Sequence, residues 1–130
     1  MVANFILYVK DQAKSREFYA IALGMAPRLD VPGMTEFELS AGCVLGLMPE
    51  KGAKRLLPGL PDPENRGGAR AEVYLIVADP AAYHARALAA GAAELSPLGP
   101  RDWGHRAAYS LDLDGHVLAF AEPMREGRGA

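Results

Sequence analysis

A pattern of strand, helix and terminating glycine occurs twice in this chain of 130 residues, and the repetition strongly limits the folds that it can adopt. In the first copy, residues 4–11 (NFILYVKD) are rich in strand-forming side chains. Residues 12–23 follow as a helix, because Asp11 is a suitable N-cap and apolar side chains recur at helical spacing. Gly24 stands where a left-handed C-cap ends such a helix.

The second copy has the same form. Residues 72–79 (EVYLIVAD) predict a strand, and Asp79-Pro80 is typical of a helix start because proline at the first helical position lacks only an unneeded N–H. Residues 80–90 form the predicted helix, and Gly91 is its expected C-cap. The two capping aspartates are 68 positions apart and the two glycines are 67 apart. This spacing indicates an internal duplication.

Strand-like runs follow each predicted helix, with turn-forming residues between the last two runs of each half. The runs are residues 25–31, 35–39 and 43–48 in the first half, and residues 92–97, 106–111 and 116–121 in the second. The sequence therefore predicts an α+β fold made of two βαβββ modules.

The two modules are expected to form one domain over residues 1–130, because a unit of about 60 residues buries little core by itself. Module one covers about residues 3–49 and module two about residues 70–122. The linker, about residues 50–69, is rich in Pro and Gly and predicts a loop, and residues 123–130 are expected to be a flexible tail.

Composition limits the partners and the compartment. The net charge of −2 gives no sign of a nucleic-acid partner, which usually requires an excess of Lys and Arg. No run approaches the roughly 18 apolar residues of a membrane helix, and no basic residue precedes the short apolar run at the N-terminus. Cys43 is the single cysteine, so a reducing, cytoplasmic location is expected.

Several short motifs, in this order and spacing, resemble those of one family. They are Tyr8-Val9-Lys10-Asp11, Ser15 with Phe18-Tyr19, Leu23-Gly24, Val77-Ala78-Asp79, Trp103-Gly104, and Asp112-Leu113-Asp114-Gly115-His116 with Glu122. The chain resembles the vicinal oxygen chelate superfamily, which includes glyoxalase I, extradiol dioxygenases and the bleomycin and fosfomycin resistance proteins. The resemblance implies curved mixed sheets that enclose a small-molecule pocket, with the helices on the convex faces, and a homodimer.

The resemblance also implies where a metal would be held. Metal-dependent members take ligands from four strand positions, which correspond here to Asn4, Gly46, Glu72 and Ala119. Only Glu72 is a good ligand for a transition metal, so a degenerate site without a cofactor is expected. The alternative is a divalent metal such as Zn, Ni, Fe or Mn with non-standard ligands.

Five candidate ligand-binding residues follow from the implied pocket. Glu72 is expected to be a ligand-binding carboxylate or a general base, or else a solvated strand start. Asn4, Tyr8 and Tyr74 share its alternation and would line the cavity. Trp103 would stack on a planar ligand, or else cover one end of the sheet.

Arg106 is the sixth candidate. Along residues 106–111, one face carries Arg106, Ala108 and Ser110, and the other carries His105, Ala107, Tyr109 and Leu111. Because the second set is more apolar, we expect it to face the helix and Arg106 to face the cavity. There it would bind a carboxylate or phosphate, or else form a surface ion pair.

Two further expectations concern the end of the second module. Residues 112–115 predict a hairpin turn and not a calcium loop, because the ligands that such a loop requires are absent. His116 just after this turn, and His84 on the second predicted helix, are expected to be solvated.

The leading hypothesis is a metal-free protein that binds or sequesters a small organic molecule, similar to the bleomycin-resistance branch. One alternative is a metal-dependent lyase or isomerase resembling glyoxalase I, or a dioxygenase. Another is a metal-independent isomerase or epimerase with Glu72 as its base.

Overall fold

Two four-stranded sheets and three helices make up the part of the chain described by the computed structural model, which is residues 1–64, 67–68 and 70–124. The chain divides into two compact units, with Gly68 the last described residue of the first. The end of the first helix, Ile21–Leu23, groups with the second unit. Linker residues 65, 66 and 69 and tail residues 125–130 lie outside the described residues.

The first unit follows the predicted βαβββ order. Its elements are β1 (Ala3–Val9), α1 (Gln12–Leu23), β2 (Leu29–Val31), β3 (Met34–Ser40), β4 (Cys43–Pro49) and α2 (Glu50–Leu56). The sheet order is β1-β4-β3-β2, in which β1 and β4 are parallel and the other pairs are antiparallel.

Both ends of α1 are formed as the sequence predicts. The Asp11 carboxylate accepts a hydrogen bond from the Lys14 amide at 3.0 Å, and Gly24 has φ of 68°, the left-handed conformation of a C-cap. In the core of this unit, the ring of Tyr19 lies 6.4 Å from that of Phe37 on β3. This contact places α1 on the sheet face that carries Phe37 and its register partner Leu45.

The second unit repeats the order. Its elements are β5 (Glu72–Ile76), α3 (Pro80–Ala89), β6 (Ala93–Pro100), β7 (His105–Leu111) and β8 (Val117–Pro123). The sheet order is β5-β8-β7-β6, again with one parallel pair, β5 and β8. Asp79 caps α3 by accepting from the Ala82 amide at 3.2 Å, and Gly91 follows the helix with φ of 117°.

The position of α3 distinguishes the two faces of the second sheet. Its Tyr83 ring lies 5.3 Å from Phe120 on β8, and Phe120 is in register with Leu75 and Ala108. These three residues therefore face α3. The residues that alternate with them point away from the helix, and we call this side the tyrosine face. On β5, β7 and β8 it carries Glu72, Tyr74, Ile76, His105, Ala107, Tyr109, Leu111, Val117, Ala119 and Ala121.

The structure differs from the sequence prediction in the linker and in β2. The linker, predicted as a loop, begins with the helix α2, whose seven residues are too few for a clear periodic pattern. Of the strand predicted over residues 25–31, only the last three residues form a strand, which is β2. Among the described residues, no helix is both long enough and apolar enough to cross a bilayer.

The predicted turn at residues 112–115 joins β7 to β8, but the histidine beside it is not solvated. His116 is 3% exposed, and its Nδ1 lies 3.0 Å from the Asp112 carboxylate. That carboxylate also accepts the amides of Asp114 and His116 at 2.9 Å each. His84 is 7% exposed and lies 2.9 Å from Glu94. Both predictions of solvated histidines were wrong, because each imidazole has a carboxylate partner that makes burial possible.

Candidate functional site

Tyr74 lies at the centre of a hydrogen-bonded group on the tyrosine face. The indole N–H of Trp103, on the loop between β6 and β7, donates to Tyr74 Oη at 3.0 Å. Tyr74 Oη lies 2.7 Å from His105 Nδ1, and the two rings stack with centroids 5.8 Å apart. When His105 is neutral with its proton on Nε2, the Tyr74 hydroxyl donates to Nδ1. The three side chains thus hold one another in place.

The sheet register explains why Tyr74 also reaches Tyr109. Both residues are in register with Ala119 on the strand between them. Strands two apart in a sheet are separated by about 9–10 Å, yet the two ring centroids are 6.4 Å apart. The tyrosines therefore lean toward each other, which is possible because Ala119 extends no further than its Cβ.

Arg101 packs against the ring of Tyr109. Its guanidinium lies 5.1 Å from the Tyr109 ring centroid, in cation–π contact. The same group donates to Ser96 Oγ at 3.0 Å, to the Pro97 carbonyl at 2.9 Å and to the Ala107 carbonyl at 2.7 Å. Arg101 therefore joins β6 to β7 and fixes the position of the ring.

Glu72 supplies the carboxylate of the group. It is two residues before Tyr74 on β5 and is exposed. In the part of the chain that the structure describes, no hydrogen bond or ion pair is made by its carboxylate. Burial raises the pKa of the Tyr109 phenol above its ordinary value of 10.0. The neighbouring Tyr74 and Glu72 raise this pKa further, while the Arg101 guanidinium opposes them.

Trp103 presents the largest accessible ring of the group. The residue is 57% exposed although its indole N–H is already hydrogen-bonded. An exposed indole with a satisfied donor offers an apolar face to a ligand at little desolvation cost. Of the six predicted site residues, the structure joins Tyr74 and Trp103 by a hydrogen bond, and Glu72 lies two residues before Tyr74 on the same face of β5.

Arg106 does not join them, and the face predicted for it was wrong. It alternates with the tyrosine face and lies on the side of α3, where it pairs with Glu122 at 3.0 Å. The small Ala108 and Ser110 share that side and are fully buried. Small residues suit close packing against a helix. The more apolar character of the set with His105 and Tyr109 therefore did not predict which face of β7 meets α3.

Asn4 and Tyr8 lie in the first unit, on one face of β1. Asn4 Nδ2 donates to Glu36 Oε2 at 3.3 Å, and Glu36 is held by Arg28 at 2.9 Å. Tyr8 is half-buried in β1 beside its register partner Met48. Asn4 is thus part of a polar network that the sequence prediction did not include.

The four positions that the resemblance assigns to a metal do not fit one. Gly46 has no side chain, and a Cβ there would overlap Ile6 Cδ1 and lie 3.2 Å from Met34 Sδ. Ala119 is fully buried and carries no donor. Over the described residues, no group of three or more His, Cys, Asp or Glu side chains is arranged to hold a metal ion. A carboxylate and an amide alone make a poor transition-metal site.

Sequence reasoning missed His105, Tyr109 and Arg101. The first two were assigned to the helix side together with the rest of their alternating set. The pairing of β5 with β8 and of β8 with β7 places Tyr74 and Tyr109 on one face, and this pairing was not deduced from the sequence. Arg101 lies outside any strand, and no local signal points to its contacts.

Comparison with known proteins gives one family. The model of the Glyoxalase/Bleomycin resistance protein/Dioxygenase superfamily matches residues 2–120. None of the curated proteins is similar enough to this chain to count as a match.

Solved structures share the fold at low sequence identity. A glyoxalase/bleomycin resistance protein/dioxygenase from Nocardioides is 23% identical with a TM-score of 0.76, over 100% of this chain and 87% of that one. A glyoxalase-related enzyme from Fulvimarina pelagi is 24% identical with a TM-score of 0.78, over 94% and 87%. A family enzyme from Burkholderia phytofirmans is 15% identical with a TM-score of 0.78, over 93% and 97%. At these identities the likeness concerns the fold alone.

Proposed function

Because the chain belongs to the Glyoxalase/Bleomycin resistance protein/Dioxygenase superfamily, we propose that it binds a small organic molecule on its tyrosine face without using a metal ion. The observation that carries the proposal is the arrangement of Trp103, Tyr74 and His105. Their hydrogen bonds of 3.0 and 2.7 Å fix three rings, one of them largely exposed. Fixed rings bind planar compounds well, because little side-chain entropy is lost on binding.

The mode of binding follows from the same contacts. A planar compound stacks on the accessible face of Trp103, whose indole orientation is set by Tyr74. The imidazole of His105, which is hydrogen-bonded to Tyr74, provides a polar anchor beside the rings. The carboxylate of Glu72, two residues before Tyr74 on the same strand face, provides a second. The protein then acts by sequestration and needs no chemical step.

Metal-dependent lyase, isomerase or dioxygenase chemistry is not proposed. The usual site would require donors at positions 46 and 119, where the chain has glycine and alanine. For non-standard ligands, the described residues offer no group of three or more His, Cys, Asp or Glu side chains that could hold a metal ion. A ligand-binding role requires only the residues that are present. We also propose that the protein forms a homodimer, as the family resemblance implies. Because the chain has a single cysteine, we propose a cytoplasmic location.

Intrinsic fluorescence tests the proposal directly, because Trp103 is the single tryptophan of the chain. We expect a screen of planar heteroaromatic compounds to include some that change Trp103 emission saturably. For such a compound, Tyr74→Ala should weaken binding about tenfold, which corresponds to about 1.4 kcal/mol. The matched control is Arg106→Gln, on the opposite face of the sheet, which should leave the affinity unchanged.

Two results would count against binding at this face. One is a broad screen in which no compound changes Trp103 emission saturably. The other is a bound compound whose affinity is the same in wild type and Tyr74→Ala.

A further inference from the structure

Glu72 is a charged side chain beside the aromatic group. It is exposed on the tyrosine face, and the described residues give its carboxylate neither a hydrogen bond nor an ion pair. Asp102, next to Trp103, is a second exposed carboxylate. Negative charge therefore lies two residues from Tyr74 on the same strand face, and next to Trp103 in the chain.

The nearby cation does not neutralise Glu72. The guanidinium of Arg101 is held by the Ser96 hydroxyl and by the carbonyls of Pro97 and Ala107. It lies against the ring of Tyr109 and makes no ion pair with Glu72. Its position is fixed by these contacts, so it cannot turn toward a ligand at Glu72 without breaking them.

Two further arginines of the second unit have partners away from Glu72. Arg106 pairs with Glu122 on the side of α3. Arg70 donates to the Asp114 carbonyl at 3.0 Å, at the turn between β7 and β8. On the tyrosine face itself, burial and the neighbouring Tyr74 are the main causes that raise the pKa of Tyr109, and Glu72 raises it more than Arg101 lowers it.

From these contacts we infer that the ligand of the tyrosine face is an organic cation with a planar, positively charged ring. The inference rests on the proposed function and names the class of its ligand. A cation placed against Tyr74, the ring next to Glu72 on the same face of β5, gains from the negative face of that ring. It also supplies a partner for the Glu72 carboxylate. An anion would meet the same carboxylate with repulsion.

Three probes with one ring system separate charge from shape. They are N-methylquinolinium, which is cationic, quinoline at mildly alkaline pH, which is neutral, and a quinoline carboxylate, which is anionic. Titration calorimetry on the full chain measures each affinity. We expect the cation to bind at least about tenfold more tightly than the neutral ring, since cation–π and ion-pair terms add to stacking. Its affinity should fall as salt is raised.

Glu72→Gln keeps the shape of the side chain and removes its charge. We expect this variant to lose about fivefold to tenfold in affinity for the cation and nothing for quinoline. Glu122→Gln is the matched control, because it removes a carboxylate from the opposite face of the same sheet and should change neither affinity. The salt dependence of the wild type tests the same point without any variant.

The outcomes separate this inference from the proposed function. If quinoline or its carboxylate binds as tightly as the cation, or if Glu72→Gln leaves the cation's affinity unchanged, the ligand class is wrong while binding at the face still holds. If neither these probes nor any other planar compound binds, both the inference and the proposed function are wrong.

Discussion

The hydroxyl of Tyr74 offers the sharpest test of how the site is built, because Tyr74→Phe removes one atom and keeps the ring. That atom accepts the Trp103 N–H at 3.0 Å and lies 2.7 Å from His105 Nδ1. Each such bond contributes about 0.5–1.5 kcal/mol net. Since Trp103 is 57% exposed, water can replace its lost acceptor, so each bond should count near the low end of that range. We expect the free energy of unfolding to fall by about 1 kcal/mol in all.

Urea denaturation followed by circular dichroism measures this loss, and the emission of Trp103 reports on the same bond. For a domain of this size, about 1 kcal/mol corresponds to a melting temperature lower by about 4 °C. The emission should move to longer wavelength as the indole loses its partner and becomes more hydrated. The ring stacking with His105 should keep the rest of the tyrosine face in place.

Tyr83→Phe is the matched control. Tyr83 packs on Phe120 in the same unit, and the structure shows no hydrogen bond for its hydroxyl among the described residues. We expect this variant to be nearly neutral. If Tyr74→Phe unfolded at the wild-type urea concentration with unchanged Trp103 emission, the Tyr74 hydroxyl would not have the role assigned to it. The same would follow if Tyr83→Phe lost as much stability as Tyr74→Phe.

Three further predictions concern packing, pH and metal. Gly46→Ala should lower the free energy of unfolding, measured by urea denaturation, by about 1 kcal/mol, because the new Cβ overlaps Ile6 Cδ1. Adding Ile6→Val should recover most of that loss. Strictly additive effects of the two substitutions would contradict the clash. The raised pKa of Tyr109 means that its contribution to stability is complete below pH 10.0 and is lost as pH rises through the folded-state pKa. Alkaline denaturation should therefore be weaker in Tyr109→Phe, and equal pH dependence would contradict the shift. Untagged protein incubated with Zn, Ni, Mn or Fe should hold well below one metal ion per chain by elemental mass spectrometry, and one per chain would overturn our account of the donors.

Much of the fold could be predicted because its local signals are strong and agree with one another. Asp11 and Asp79 cap their helices in the structure, and Gly24 and Gly91 end them with positive φ. Such signals depend on a few neighbouring residues and can be read without tertiary information. The helix α2 was missed because seven residues after a proline give neither a cap pattern nor a period.

The site was harder to predict because it depends on which side of a strand meets a helix. Alternation divides β7 into two sets, but it does not say which set faces α3. The small residues Ala108 and Ser110 lie under the helix, and the larger His105 and Tyr109 lie on the other side. Hydrophobicity favoured the opposite assignment. Side-chain volume would have been the better criterion here, because a closely packed helix leaves little room above the sheet.

The two positions that lack metal donors, Gly46 and Ala119, also explain why recognition is assigned to the aromatic rings. At Ala119, the short side chain allows the ring centroids of Tyr74 and Tyr109 to lie 6.4 Å apart. A longer side chain at this position would have to displace both rings, and the hydrogen bonds of Tyr74 with them. A carboxylate introduced by Ala119→Glu should therefore disturb the aromatic group and cost stability without making a metal site, because Gly46 still provides no donor. In this chain the aromatic arrangement and a metal ligand at position 119 exclude each other, which is why we assign recognition to rings and to the charge of Glu72.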